Sequence, residues 1–96
     1  RGTDSSFFLF SEDAAWPPEI DVVEYAGVTE GKTILQNLHF KTATGRDSRM
    51  HHPTPPGGGS FADTWHVYGM RWSPDAVEWY VDGVKTHESK TGVPDK

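Results

Sequence analysis

The sequence contains no cysteine, so no disulfide braces it and no thiolate can serve as nucleophile or metal ligand. Its apolar residues come in short runs such as Phe7-Phe8-Leu9-Phe10, none long enough to cross a membrane as a helix. Basic residues are few: nine Lys and Arg stand against fourteen Asp and Glu, for a net charge of −5. With no basic run anywhere, a nucleic-acid partner is not expected. No segment carries a sustained helical period, and no internal repeat is visible. The opening Arg1-Gly2-Thr3-Asp4 lacks the charged start and apolar core of a secretory leader. Zero cysteines suits a cytosolic protein and equally a secreted bacterial one, so composition leaves the compartment open.

What is present is one dense stretch: Trp16-Pro17-Pro18-Glu19-Ile20-Asp21-Val22-Val23-Glu24-Tyr25. The β-branched residues predict a strand, with Pro17 and Pro18 at its entrance. Strict alternation would send Glu19, Asp21 and Val23 to one face and Ile20, Val22 and Glu24 to the other. That strands Glu24 among apolar residues. A β-bulge at Val22 or Val23 restores the phase and puts all three acids on one face. Like charges so close should raise at least one pKa. Two explanations fit such a row. Glu19 and Glu24 could be the pair of a glycosidase, since carboxyls about 5–5.5 Å apart suit a retaining mechanism. Alternatively, the row is the wet face of an edge strand.

The rest of the chain reads as strands and turns. Phe7-Phe8-Leu9-Phe10 suits a strand buried on both sides. Ser11-Glu12-Asp13 is a turn cluster in a loop over 11–18. Tyr25-Ala26-Gly27-Val28-Thr29-Glu30-Gly31 is a turn-rich link. Thr33 to Phe40 predicts a strand, with Gln36, Leu38 and Phe40 on one face and Leu35, Asn37 and His39 on the other. Residues 41–60 are polar, then rich in Pro and Gly, and are expected as a loop at the rim of the acid face. Its adjacent His51 and His52 lack the further ligands a zinc site needs. Its Gly57-Gly58-Gly59 has no following Lys-Ser/Thr and is no phosphate loop. Trp65 to Trp72 predicts a strand, Ser73-Pro74-Asp75-Ala76 a turn, and Val77 to Val81 another strand. Asp82-Gly83 is a type I′ hairpin signal leading into Val84-Lys85-Thr86. Trp72, Trp79 and Tyr80 are expected to be packing residues.

Glu19-Ile20-Asp21-Val22-Val23-Glu24 resembles the E-[ILV]-D-x-x-E signature of glycoside hydrolase family 16. Two residues between Asp and the second Glu look like its laminarinase, agarase and carrageenase branches; lichenases have one. A second block agrees. The run from Trp65-His66-Val67-Tyr68 through Trp72, Pro74 and Trp79-Tyr80-Val81-Asp82-Gly83 is similar to the family's F-H-x-Y-x-x-x-W-x-P-x-x-I-x-W-Y-V-D-G. Against a third pattern, G-x-W-P-A-F-W-x-L, the chain departs: Asp4 stands where Trp is usual, and Phe8 replaces the second Trp. Family aromatics there help line the sugar cleft, so the choice of polymer is put in question.

The resemblance implies an all-β fold, the β-jelly-roll sandwich of the concanavalin A type. Family domains run to roughly 200–250 residues. Residues 1–96 are therefore expected to be the central part of one catalytic domain, incomplete here, with its remaining strands as partner, in the same or a separate chain. The implied activity is endo-acting, retaining hydrolysis of a β-linked polysaccharide. Glu19 would be the nucleophile, Glu24 the acid and then base, and Asp21 a helper bonded to Glu19. β-1,3-Glucan (laminarin) or mixed β-1,3-1,4-glucan is the first substrate expectation. Agar or carrageenan galactans are an alternative, for which Lys41, Arg46 and Arg49 would be suited if their loop reached the cleft. A non-catalytic sugar-binding domain on the same scaffold is another. Trp16 is a candidate sugar stacker or a cap on the sheet end, and Asn37 and His39 are candidate sugar contacts. No metal or cofactor is expected in catalysis. The family often holds a structural calcium, whose ligands cannot be placed. The resemblance also implies a secreted protein.

Overall fold

A computed structural model describes residues 5–25 and 31–95. All regular elements among the described residues are β-strands. β1 (Ser5–Phe10), β2 (Glu19–Tyr25), β3 (Leu35–Thr42) and β4 (Gly45–His51) form one antiparallel sheet in that order. β5 (Tyr68–Trp72), β6 (Val77–Val81) and β7 (Val84–Ser89) form a second.

The alternation of the strands decides what lies between the sheets. From the first sheet Ile20, Leu38 and Phe40 point inward, and from the second Val77 and Trp79 meet them. A neighbouring cluster joins Ile34, Phe61 and Val81, with Val23, Tyr25 and Tyr68 at its margin. Trp79 ties the layers together. Its indole is fully buried, and Nε1 donates to the Asp21 carbonyl oxygen at 2.9 Å. Gly92 closes one end with φ at 72°, and a Cβ there would run into the Phe40 ring. Only glycine fits both the backbone and the space.

The expected bulge is present. Asp21 pairs with Asn37 and Glu24 with Leu35, so Val22 and Val23 together oppose the single residue Gln36. Gln36 then caps the irregularity. Its Nε2 donates to the Val22 carbonyl at 3.3 Å, and its Oε1 accepts from Thr86 Oγ1 at 2.6 Å. A buried amide is tolerated because both its ends are bonded. The β6–β7 hairpin also follows its sequence signal. Asp82 and Gly83 take φ of 52° and 80°, the left-handed pair a type I′ turn requires.

Several expectations are corrected. The phenylalanine run is not buried on both sides: β1 is an edge strand, and Phe7, Phe8 and Phe10 are exposed. The third strand runs from Leu35 to Thr42, two residues later than predicted. Residues 41–60 are not all loop. Lys41 and Thr42 end β3, and Gly45–His51 pair back on it as β4. That strand has no apolar alternation because it lies at a sheet edge, where charge deters further pairing. The strand predicted from Trp65 starts at Tyr68. Trp65 is 99% exposed. Residues 66 and 67 bond to the Asp82 side chain, and the Val67 carbonyl accepts from Asp82 N at 2.7 Å. Of the three expected packing residues, only Trp79 is core. Trp72 is exposed, donates to the Pro94 carbonyl, and walls a cavity with Leu9, Phe10 and Ile20. Tyr80 faces outward and donates to Glu78 Oε2. The comparisons made above at Gly2 to Asp4, and the link over Ala26 to Glu30, lie outside the described residues.

Candidate active site

The bulge places the acids. Ile20 and Val22 enter the core, and Val23 turns towards the second cluster. Glu19, Asp21 and Glu24 are left on the opposite face of β2. Their partners in register share that face: Phe10, Phe8 and Ser6 from β1, and His39 and Asn37 from β3. Antiparallel pairing therefore forms a shallow cleft floor with acids in the middle, aromatic rings on one side and an imidazole on the other.

Five of the six residues singled out from sequence meet there through direct contacts. His39 Nε2 lies 3.5 Å from Glu19 Oε1 and 3.2 Å from Asp21 Oδ2. Asn37 Nδ2 lies 3.2 Å from the same His39 nitrogen. Trp16 Nε1 donates to Glu19 Oε1 at 3.2 Å, and its ring centroid is 5.4 Å from that of His39. Glu24, the sixth, belongs to the cluster through the charge it presents to Asp21.

Asp21 is the electrostatic centre. It is fully buried, and neither carboxyl oxygen has an aligned hydrogen-bond partner among the described residues. Burial pushes its pKa up to about 8, and the neighbouring Glu19 and Glu24 charges add to the rise. Beside it, Asn37 Oδ1 accepts from Leu38 N at 2.8 Å, which turns Asn37 Nδ2 towards His39 Nε2. Asp21 is thus biased towards its protonated form at a pH where an ordinary aspartate is ionised.

The Glu19–Asp21–His39 group could by its spacing hold a small cation, with ligand atoms within 4.8 Å of one another. Two carboxylates and one imidazole do not fit calcium, which takes six to eight oxygens. His51 has a different place: it stacks on His87 at 4.9 Å, and His87 meets the Trp79 ring at a tilt, centroids 4.7 Å apart.

Phe10 went unread in the sequence, and Arg46 was named there only as one of three basic residues whose loop could reach the cleft. Phe10 joins Phe8 on the acid face, ring centroids 5.9 Å apart, as an exposed aromatic platform. Alternation along β1 could have shown this had the strand been read as an edge. Arg46 reaches the cleft from β4, with its guanidinium 5.0 Å from the Trp16 ring centroid. Because residues 41–60 read as loop, no side-chain pattern decides which of its basic residues does so. Arg49 does not: it sits over Phe40 on the core side, paired with Asp47 at 2.9 Å.

Comparison with known proteins follows the geometry. The family model for glycosyl hydrolases family 16 matches residues 1–94. A β-glucanase of Fibrobacter succinogenes is 32% identical over 95 residues, covering 95% of this chain and 26% of that protein. The structure of an endo-β-1,3-glucanase from Pyrococcus furiosus superimposes with a TM-score of 0.69 at 33% identity, over 93% of this chain and 36% of its own. The laminarinase catalytic domain of Thermotoga maritima gives 0.71 at 26% identity, over 92% and 37%. The chain thus spans about a quarter to a third of these relatives, and its two antiparallel sheets are a portion of their β-jelly roll.

Proposed function

The chain belongs to glycosyl hydrolases family 16, and from that membership we propose that it carries the catalytic strand of a retaining endo-β-glucanase, with β-1,3-glucan or mixed β-1,3-1,4-glucan as substrate. The observation that carries this reading is the bulge, which brings Glu19, Asp21 and Glu24 to one face beside Trp16 and His39.

In this reading Glu19 attacks the anomeric carbon and forms a covalent glycosyl-enzyme. Glu24 protonates the departing oxygen, then takes a proton from water in the second step. The Trp16 N–H on Glu19 Oε1 holds that carboxylate in one orientation. Asp21, protonated and buried between the two, limits the negative charge of the row to what the mechanism uses. As a donor it can bond an oxygen of Glu19 and ease its departure from the sugar. The aromatic faces of Phe8, Phe10 and Trp16 suit the apolar faces of sugar rings. A polysaccharide does not cross a membrane, which supports action outside the cell. Further strands of the same domain, in this or a separate polypeptide, would complete the cleft.

The test is reducing-sugar release from laminarin, lichenan, agarose and carrageenan, with Glu19→Gln and Glu24→Gln alongside. Cleavage of a β-glucan that falls by about 10³-fold or more in both variants is expected. Cleavage that survives either substitution would overturn the assignment. A folded protein that binds a polymer and cleaves none would be a sugar-binding domain.

A further inference from the structure

The cleft floor is acidic, yet its β4 edge is not. Arg46 and Lys41 are direct partners in the β3–β4 register, so they stand on one face. Lys41 follows His39 and Asn37 in the strand alternation, which makes that face the acid face. Neither cation has a carboxylate partner among the described residues, whereas Arg49, on the other face, is paired with Asp47. Arg46 rests on the Trp16 indole at 5.0 Å, and the indole N–H in turn touches Glu19. One indole width thus separates a free guanidinium from the proposed nucleophile. In a chain of net charge −5 this cation pair is a local exception.

We propose that Arg46 and Lys41 form an anion subsite, which takes a negatively charged substituent on the sugar that stacks at Trp16. The ligand class is a β-glycan bearing sulfate esters or carboxylates. A guanidinium held over an aromatic ring, with no carboxylate on its N–H groups, can turn two of them to the two oxygens of such an anion. Charge also assigns the task. The Glu19 carboxylate repels an anionic glycan, and the Arg46–Lys41 pair offsets this at the one edge where both cations project. The inference rests on the glycosidase reading for its place in the cleft, but it is tested separately.

The experiment measures binding by calorimetry to laminarin oligosaccharides, unmodified, sulfated or carboxymethylated, at low and at raised salt. The full protein carries Glu19→Gln so that nothing is cleaved. The expected result is binding of an anionic form tighter by about tenfold, with the advantage reduced by salt and falling below about twofold on adding Arg46→Gln. Lys41→Gln should remove part of it. Whichever modified form is favoured tells sulfate from carboxylate. Equal or weaker binding of both anionic forms overturns the inference. So does an Arg46→Gln variant that loses neutral and anionic ligands alike, since Arg46 would then only steady the indole. Cleavage of neutral glucan without an anionic preference sinks this inference alone. An anionic preference in a folded protein that cleaves nothing sinks the glycosidase reading alone.

Discussion

Two Asp–His pairs in this molecule have opposite characters. In the cleft, Asp21 faces His39 at 3.2 Å, fully buried and without an aligned hydrogen bond, with its pKa pushed up to about 8. At the β6–β7 hairpin, Asp82 meets His66 Nδ1 at 2.7 Å and accepts from Val67 N at 2.7 Å. Those two bonds, His66 first, hold the Asp82 carboxyl below its ordinary range. The Asp82 bond, with the Ser60 carbonyl, holds His66 above its own. The difference lies in partners: the hairpin satisfies its polar groups and gains stability, whereas the cleft leaves a carboxyl short of partners between two like charges. A strained acid row persists only where its surroundings are firmly held.

The strongest test of that view removes what joins the two regions. Trp79 packs β6 against Ile20, Leu38 and Phe40, and its N–H satisfies the Asp21 carbonyl. Trp79→Ala should cost about 3–5 kcal/mol, a large part of the stability of a domain this size. Urea unfolding would read it, with one cooperative transition before and after. A cleft signal that melts apart from an unchanged hairpin signal would show that the two regions do not share a core.

The next effect is a pH slope. A carboxyl whose folded pKa lies above its unfolded 3.8 binds its proton more tightly in the native state. Its contribution is full below about pH 3.8 and is lost as the pH rises through about 8. Across that window Asp21 should lower stability by up to about 1.4 kcal/mol per pH unit. Asp21→Asn keeps the shape and removes the titration. It should flatten the slope and leave the variant more stable than the parent at pH 8, while lowering activity less than either Glu→Gln change. An unchanged slope would mean that Asp21 is not the group that holds the proton.

How much of this was legible in the sequence follows the same division. The hairpin could be read nearly to the residue, because Val77–Val81 alternates and Asp82-Gly83 admits essentially one turn. The acid row was also legible, since the charge of Glu24 makes an unbulged strand untenable. Edges were not. β4 is polar on both faces, and its pairing with β3 rests on backbone groups that no side-chain pattern announces. The phenylalanines of β1 looked like core because apolar runs look alike whether they meet another sheet or an open cleft. With β4 unread, Arg46 could not be told from Lys41 and Arg49 as the cation that touches Trp16.

The smallest effect divides Asp82's two bonds. Asp82→Asn keeps an oxygen for Val67 N and tolerates the φ of 52°, but it gives up the charge that holds His66. Asp82→Ala loses both bonds and strains the turn. Stability should rank parent, then Asn, then Ala, with all the differences small beside Trp79→Ala. The gap between parent and Asn carries the argument. The Asp82 contribution, with its folded pKa lowered, is full above the unfolded 3.8 and is lost as the pH falls through the folded value. The His66 contribution, with its pKa raised, is full below 6.5 and is lost as the pH rises through its folded value. The gap should therefore be widest at about pH 4–6.5, where Asp82 is charged and His66 protonated, and should narrow on both sides. Urea midpoints of the two proteins, taken at intervals from pH 3 to 9, would show it. A gap that does not vary with pH would mean that the hairpin pair is held by geometry alone, and the contrast with the cleft would then be one of packing and not of charge.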